Sequence, residues 1–407
     1  MRAFLYIGLL LMGFACQPVR EEGNRATYDT MTHPVATDTL TVAEPEPAPA
    51  PATPVVDTAL LRLSRFYAGL PQYDSNHYAP LERENAWLDF HYAMQLNWEL
   101  MDSLRLRKMS AWQKETLAPA YGNSQVVFYP FSGPDFLHMH RLFPDASEYI
   151  MAALEPIVEL PQPDTLSASV REKLFDSLTV SLRDVFGKSY FITSHMRKDM
   201  KQIQGVLPLM YFFSVREGFD VIQQDFLYLD SSPREVVIPH HQLHWHTTPG
   251  VRLVLHQPTT GAVKTVYYFS ISLSNAGLRD RPEFVRFLDS RGSYNTFIKS
   301  ASYLMHTKDF TRIRDLLMES SAALLQDDTG IPYRSFRDRL DQELSLFGEY
   351  ARPVQSFGEE VYQAALDSLY RVQTAQPLPF SLGYHWKTRK QNYMLINRRK
   401  ASVGRTL

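Results

Sequence analysis

The stretch VVFYPFSGPDFLHMHRLFPDASEYIMAALEP, residues 126–156, constrains the fold more than any other part of the chain. Val126 to Phe131 is a run of apolar and aromatic residues interrupted only by Pro130, the pattern of a strand covered on both faces. Ser132-Gly133-Pro134-Asp135 breaks the run, with Ser132 expected to cap a helix and Asp135 at the capping-box spacing. Phe136, Met139, His140 and Phe143 recur at helical spacing and give that helix one face to lay on a sheet. Pro144-Asp145 ends it. Tyr149 to Leu154 then reads as a second buried strand, closed by Glu155-Pro156. Strand, turn, helix and strand within about thirty residues make a minimal βαβ unit. Two adjacent parallel strands need helices on both faces, so the expected class is α/β (or α+β): a mixed sheet flanked by helices.

The flanking sequence supports that reading. Leu60, Leu61, Leu63 and Phe66 predict a first helix, and Trp87 to Trp112 a longer one with Ala93, Leu96, Leu100 and Leu104 as its core stripe. Leu174 to Phe186 and His195 to Phe213 are also expected to be helical, the second ending in an apolar run too short to span a bilayer. The texture changes at Phe219, where FDVIQQDFLYLD, GVRLVLHQ and AVKTVYYFSISLS read as strands separated by turn sequences. Pro282 to Leu288 and Phe310 to Leu317 read as helices, with TFIKSA (296–301) and Ala322 to Gln326 as strands. Short helices are expected through Tyr333, Phe336, Leu344, Phe347 and Tyr350 to Tyr370. The globular body is thus residues 57–386, divisible into 57–218 and 219–386, with helical parts at both ends. Residues 387–407, rich in Arg and Lys and without acid, read as a basic tail.

The amino-terminal segment has a different character. Arg2 precedes an apolar run, Ala3 to Phe14, with Cys16 just beyond it. This resembles the signal of a bacterial lipoprotein, in which such a cysteine is lipidated and becomes the first mature residue. Gly13 and Phe14 depart from the usual residues of that signal, and Gly13 with Ala15 also fits ordinary cleavage after Ala15. Cys16 is the chain's single cysteine, so no internal disulfide competes for it. The expectation is a signal over 1–15 and an envelope protein, periplasmic or surface-exposed, held to a membrane through Cys16. VAEPEPAPAPATPVV lies within 16–56 and is too polar and Pro-rich to fold. About forty residues at ~3 Å each would reach ~100 Å, a spacer between membrane and body. A net charge of -2 gives the whole chain no nucleic-acid footprint.

Several residues carry candidate chemistry. The first βαβ unit resembles the opening of a Rossmann-like fold that binds nucleotides or S-adenosylmethionine. There a glycine-containing turn approaches the ligand and an acid at the second strand's end holds ribose hydroxyls. On that resemblance Ser132, Gly133 and Glu155 are the binding residues and Asp135 lies near the ligand. The turn has one glycine where two or three are usual, and Pro134 lacks an N–H. Lys299, inside an apolar strand, needs a carboxylate partner or a lowered pKa. Asp327 and Asp328 end another strand, where paired acids bind cations, do acid–base work or simply form a turn. Asp135, Lys299, Asp327 and Asp328 are the catalytic candidates, expected to face one crevice at the carboxyl edge of the sheet. His244 and His246, if on a strand, would share a face and take His256 from the next strand as a third metal ligand. The cluster lies between Pro239 and Pro249, and the reading kept is structural or solvent-facing histidine with no metal.

YPFSGPDFL, YYFS, FIKSASYLMH and LLQDDTGIPY, spread from Tyr129 to Tyr333, resemble segments shared by an uncharacterised family of exported bacterial proteins. That resemblance implies a common fold and brings no activity, cofactor or partner. The expectation is therefore an accessory or binding role at the envelope, with an enzyme using the βαβ crevice as the alternative.

Overall fold

The computed structural model describes residues 56–74, 77–122, 124–191, 205–243, 248–339, 341–387 and 390–398. Cys16, the signal and the tether lie outside the described residues, as do His195, His244 and His246. Among the described residues ten strands form one mixed sheet in the order β4-β3-β5-β6-β2-β1-β7-β8-β10-β9. In chain order they are β1 (Val126–Pro130), β2 (Glu148–Ala153), β3 (Asp220–Leu229), β4 (Glu235–Val237) and β5 (Thr248–His256). They continue with β6 (Val263–Ser270), β7 (Tyr294–Ile298), β8 (Ser321–Gln326), β9 (Gln342–Gly348) and β10 (Asn392–Arg398).

The centre of the sheet, β6-β2-β1-β7-β8, is parallel throughout. Antiparallel strands extend it at both ends, β5, β3 and β4 on one side and β10 and β9 on the other. Numbered by their appearance, the five central strands run 3-2-1-4-5, the order of a doubly wound sheet. From β1 the chain proceeds to β2 and β6 on one side, then crosses to β7 and β8 on the other, so the order reverses at β1.

Alternation along the strands feeds two cores. Val127 and Tyr129 of β1 pack with Tyr149 and Met151 of β2 on one face. The helices on that face are α1 (Thr58–Tyr67), α2 (Asn85–Met101), α3 (Arg107–Trp112), α4 (Phe136–Leu142), α5 (Ala168–Lys188) and α6 (Leu207–Arg216). Phe128 and Ile150 point the other way. They meet α7 (Asn275–Asp280), α8 (Pro282–Asp289), α9 (Thr311–Ser320) and α10 (Ala364–Val372). Helix α6 is buried from Leu207 to Val215, which explains its unbroken apolar run without a bilayer. Among the described residues no helix is long and apolar enough to cross a membrane.

Four expectations need correction. In α2 the side chains turned to the core are Trp87, Phe90, Met94 and Met101, whereas Leu96, Leu100 and Leu104 are exposed. Both sets satisfy helical spacing, and the wider aromatic and sulfur-containing set takes the core. Residues 342–348 are strand β9 rather than helix, and residues 392–398 of the supposed basic tail are strand β10. β10 pairs with both β8 and β9, and Tyr393, Met394, Leu395 and Ile396 are buried. The cations flanking NYMLIN masked a strand covered on both faces. Finally, β7 stops at Ile298, so Lys299 begins the loop after the strand instead of lying within it.

Candidate functional site

The parallel strands β1, β2, β6 and β7 release their chains at one edge, and a crevice opens there. Its empty space is about 920 Å3 with the open mouth included. Its walls come from the loops after those strands: Phe131 to Gly133 after β1, Leu154 and Glu155 after β2, Ile271 to Leu273 after β6, and Lys299 to Ser302 after β7. Tyr190, just past α5, and Tyr384 close another side, their rings edge-to-face with centroids 4.8 Å apart. Tyr384 donates its hydroxyl to the Ser300 carbonyl at 2.7 Å, which ties this wall to the β7 loop.

Asp135 caps α4 by accepting from the His138 N–H at 3.4 Å, and Ser132 instead spends its hydroxyl on the Gly133 carbonyl. The expected capping roles are therefore changed: Asp135 is itself the cap. Lys299 Nζ lies 2.6 Å from Asp135 Oδ2 and also donates to the Ser189 carbonyl at the end of α5. His138 Nδ1 is 2.7 Å from Asp135 Oδ1, and Tyr129 donates its hydroxyl to Oδ2 at 3.2 Å. Burial alone would raise the Asp135 carboxyl, but its cationic surroundings hold it at about 2. Burial pushes the His138 imidazole down to about 4, so the ring is neutral at pH 7 and Lys299 supplies the positive charge. His138 Nδ1 also lies 3.2 Å from Lys299 Nζ, so this nitrogen stands between the Asp135 acceptor and the Lys299 donor.

Asp327 and Asp328 stand behind the crevice wall. Asp327 accepts from the Ser300 N–H at 2.9 Å and the Thr329 N–H at 3.0 Å, while Thr329 Oγ1 accepts from the Ala301 N–H at 2.7 Å. Asp328 turns to Tyr303, whose hydroxyl it accepts at 2.7 Å, and to the Asn392 amide at 2.9 Å. Burial, reinforced by the neighbouring Asp328 charge, raises Asp327 to about 7, and burial raises Asp328 as well. The structure therefore brings Asp135 and Lys299 into contact at the crevice floor and links Asp327 to the residue next to Lys299. Neither Asp327 nor Asp328 lines the crevice, so the expected shared crevice holds only Asp135 and Lys299 of the four.

Of the resemblance-based residues, Ser132, Gly133 and Glu155 all line the crevice. Glu155 Oε2 accepts the Tyr268 hydroxyl at 3.0 Å. Sequence reasoning missed His138, Ser189, Tyr190, Tyr268 and Tyr384. His138 could have been found from its three-residue spacing to Asp135, whereas the tyrosines gave no signal.

Backbone strain is concentrated at this edge. Among the described residues the non-glycine positions with positive φ are Phe131, Ser189, Pro233, Ser300, Ser302 and Tyr303. All except Pro233 belong to the crevice loops or to the helix end held by Lys299. Such conformations cost ~1–3 kcal/mol each and persist where surrounding contacts enforce them, often at ligand sites. Ser300 lines the crevice, and its Oγ, shielded from solvent, has no hydrogen-bond partner among the described residues.

Of the proposed metal ligands, His256 is described, at the far end of β5 from Thr248. The separation is about 26 Å along an extended strand, so β5 carries His256 away from the histidine cluster. His240, within the cluster, lies 3.2 Å from the Ile157 carbonyl. No group of three or more His, Cys, Asp or Glu side chains able to hold a metal occurs among the described residues. Compared with protein-family models the chain matches none, and no curated protein is similar enough to count as a relative.

Proposed function

We propose that this chain is a binding protein for a small nucleoside-type ligand, held at a membrane through Cys16 and spaced from it by the Pro-rich segment. The observation that carries the ligand reading is the crevice's position where the strand order reverses, with Glu155 at the end of β2. Doubly wound sheets bind nucleosides at that place, with the acid of the second strand accepting ribose hydroxyls. Ser300 Oγ supports the reading as a hydroxyl left for a partner. Binding is favoured over catalysis because Asp135 and Lys299 are committed to each other, while Asp327 and Asp328 brace loops from behind.

The test is a thermal-shift series on the purified chain with adenosine and S-adenosylmethionine. A bound ligand raises the melting temperature as its concentration passes Kd. Glu155→Gln should weaken binding about tenfold, the loss of one charged hydrogen-bond acceptor, while leaving the ligand-free melting temperature unchanged. A panel that shifts nothing removes the nucleoside reading. For the anchor, Cys16→Ser should leave the membrane fraction. If it fractionates with the wild type and no lipid is found by mass spectrometry, cleavage after Ala15 is the correct account.

A further inference from the structure

We infer that the crevice takes nucleosides that carry no phosphate, neutral or cationic beyond the ribose, and excludes nucleotides. The inference rests on the nucleoside reading above and concerns the charge of the ligand, which that reading leaves open.

A phosphate at the first turn of a doubly wound sheet needs backbone N–H groups and a favourable local charge. Of the N–H groups at this turn only those of Gly133 and Leu137 are not taken by a protein acceptor among the described residues. The N–H of Ser132 donates to the Ala152 carbonyl, that of Asp135 to Ser132, and that of Phe136 to Pro134. The His138 N–H is taken by Asp135, and Pro134 has none to give. The Asp135 carboxylate thus sits where an anionic group would have to go, closing the start of α4 from within.

Charge points the same way. Among the described residues lining the crevice Lys299 is the one cation, and it is 2 % exposed. Its ammonium is already shared between Asp135 and the Ser189 carbonyl. Two acids, Asp135 and Glu155, line the crevice beside this single committed ammonium. A phosphate entering here would meet like charge in a partly desolvated cleft, where repulsion is less screened than in water. A ribose diol, an amine or a sulfonium meets no such opposition. The aromatic rings of Tyr190 and Tyr384 add surface that suits a cation or an apolar group.

The experiment is titration calorimetry on the full chain with adenosine, S-adenosylmethionine, AMP and ADP, and with inorganic pyrophosphate as competitor. The expected result is binding of the first two, with AMP and ADP weaker than adenosine by about tenfold or more. Pyrophosphate should not displace adenosine. AMP or ADP binding as tightly as adenosine overturns the exclusion while leaving the nucleoside reading intact. If neither nucleosides nor nucleotides bind, both inferences fall. Asp135→Asn supplies a second readout: it leaves the Lys299 charge unmatched, so the AMP-to-adenosine ratio should shift toward AMP. A lower melting temperature with an unchanged ratio would mean that Asp135 has no part in the exclusion. Should that variant fail to fold, the wild-type ratio still decides.

Discussion

Lys299 places a charge at the crevice floor, and its surroundings indicate what its removal would do. Lys299→Met would strand the Asp135 carboxylate with a neutral imidazole and a phenol, and would release Ser189 at the end of α5. Breaking one side of a buried ion pair costs about 3–5 kcal/mol, which urea denaturation of the variant should show. A loss under 1 kcal/mol would contradict the bracing role. Asp327 makes a prediction of opposite character. Its carboxyl is raised from 3.8 to about 7 in the fold, first by burial and then by Asp328. The folded state therefore retains a proton that the unfolded chain releases, so this stability is full below about pH 4 and is lost as pH rises to 7. His138, lowered from 6.5 to about 4, acts in reverse over the overlapping range, so the wild-type curve alone is not diagnostic. The difference between wild type and Asp327→Asn reports the two neighbouring carboxyls together and should shrink from pH 4 to pH 7. A constant difference would show that Asp327 does not titrate there. The need of Lys299 for an acid was legible in FIKSA, because a lysine among apolar residues is costly unpaired. Which acid it finds depends on sheet order, which no local pattern encodes.

At the level of elements, the long apolar strands were legible because β1, β2, β7 and β8 are covered on both faces and need little from context. β9 and β10 were not, since QELSLFG alternates weakly and NYMLINR is bracketed by charge. Helix α2 illustrates a different limit: period reveals a stripe, but two stripes can share one period. Met94→Ala should cost about 2–5 kcal/mol, as expected of a buried side chain, and Leu96→Ala no more than about 0.5 kcal/mol. Equal costs would mean that the helix is rotated. β10 joins β8 to β9 by antiparallel pairing on both sides. A chain stopped at Gln391 should therefore lose cooperative unfolding and be cut by protease as readily as an unfolded chain. Protection like that of the full chain would refute this role for β10.

For the molecule as a whole, the sheet and its two helical layers lie within the compact unit from Thr53 to Leu407. Removal of residues 1–52 should leave the melting temperature within about 1 °C, as expected of a polar, Pro-rich sequence that cannot bury enough apolar surface to fold. A larger fall would mean that the Pro-rich segment contributes to the fold. The mixed α/β architecture and the crevice edge could be anticipated from one βαβ unit, because a parallel pair dictates helices above and below it. The antiparallel wings could not, since strands such as β4, three residues long, carry almost no periodic signal. The late position of β10 also bears on how the protein is made. Until synthesis has passed Arg398, the outer edge of β8 has no strand beside it and β9 is not joined to the sheet. A product shortened before β10 would leave the β8 edge open to proteases, so the fold itself would tell it from a chain that carries β10.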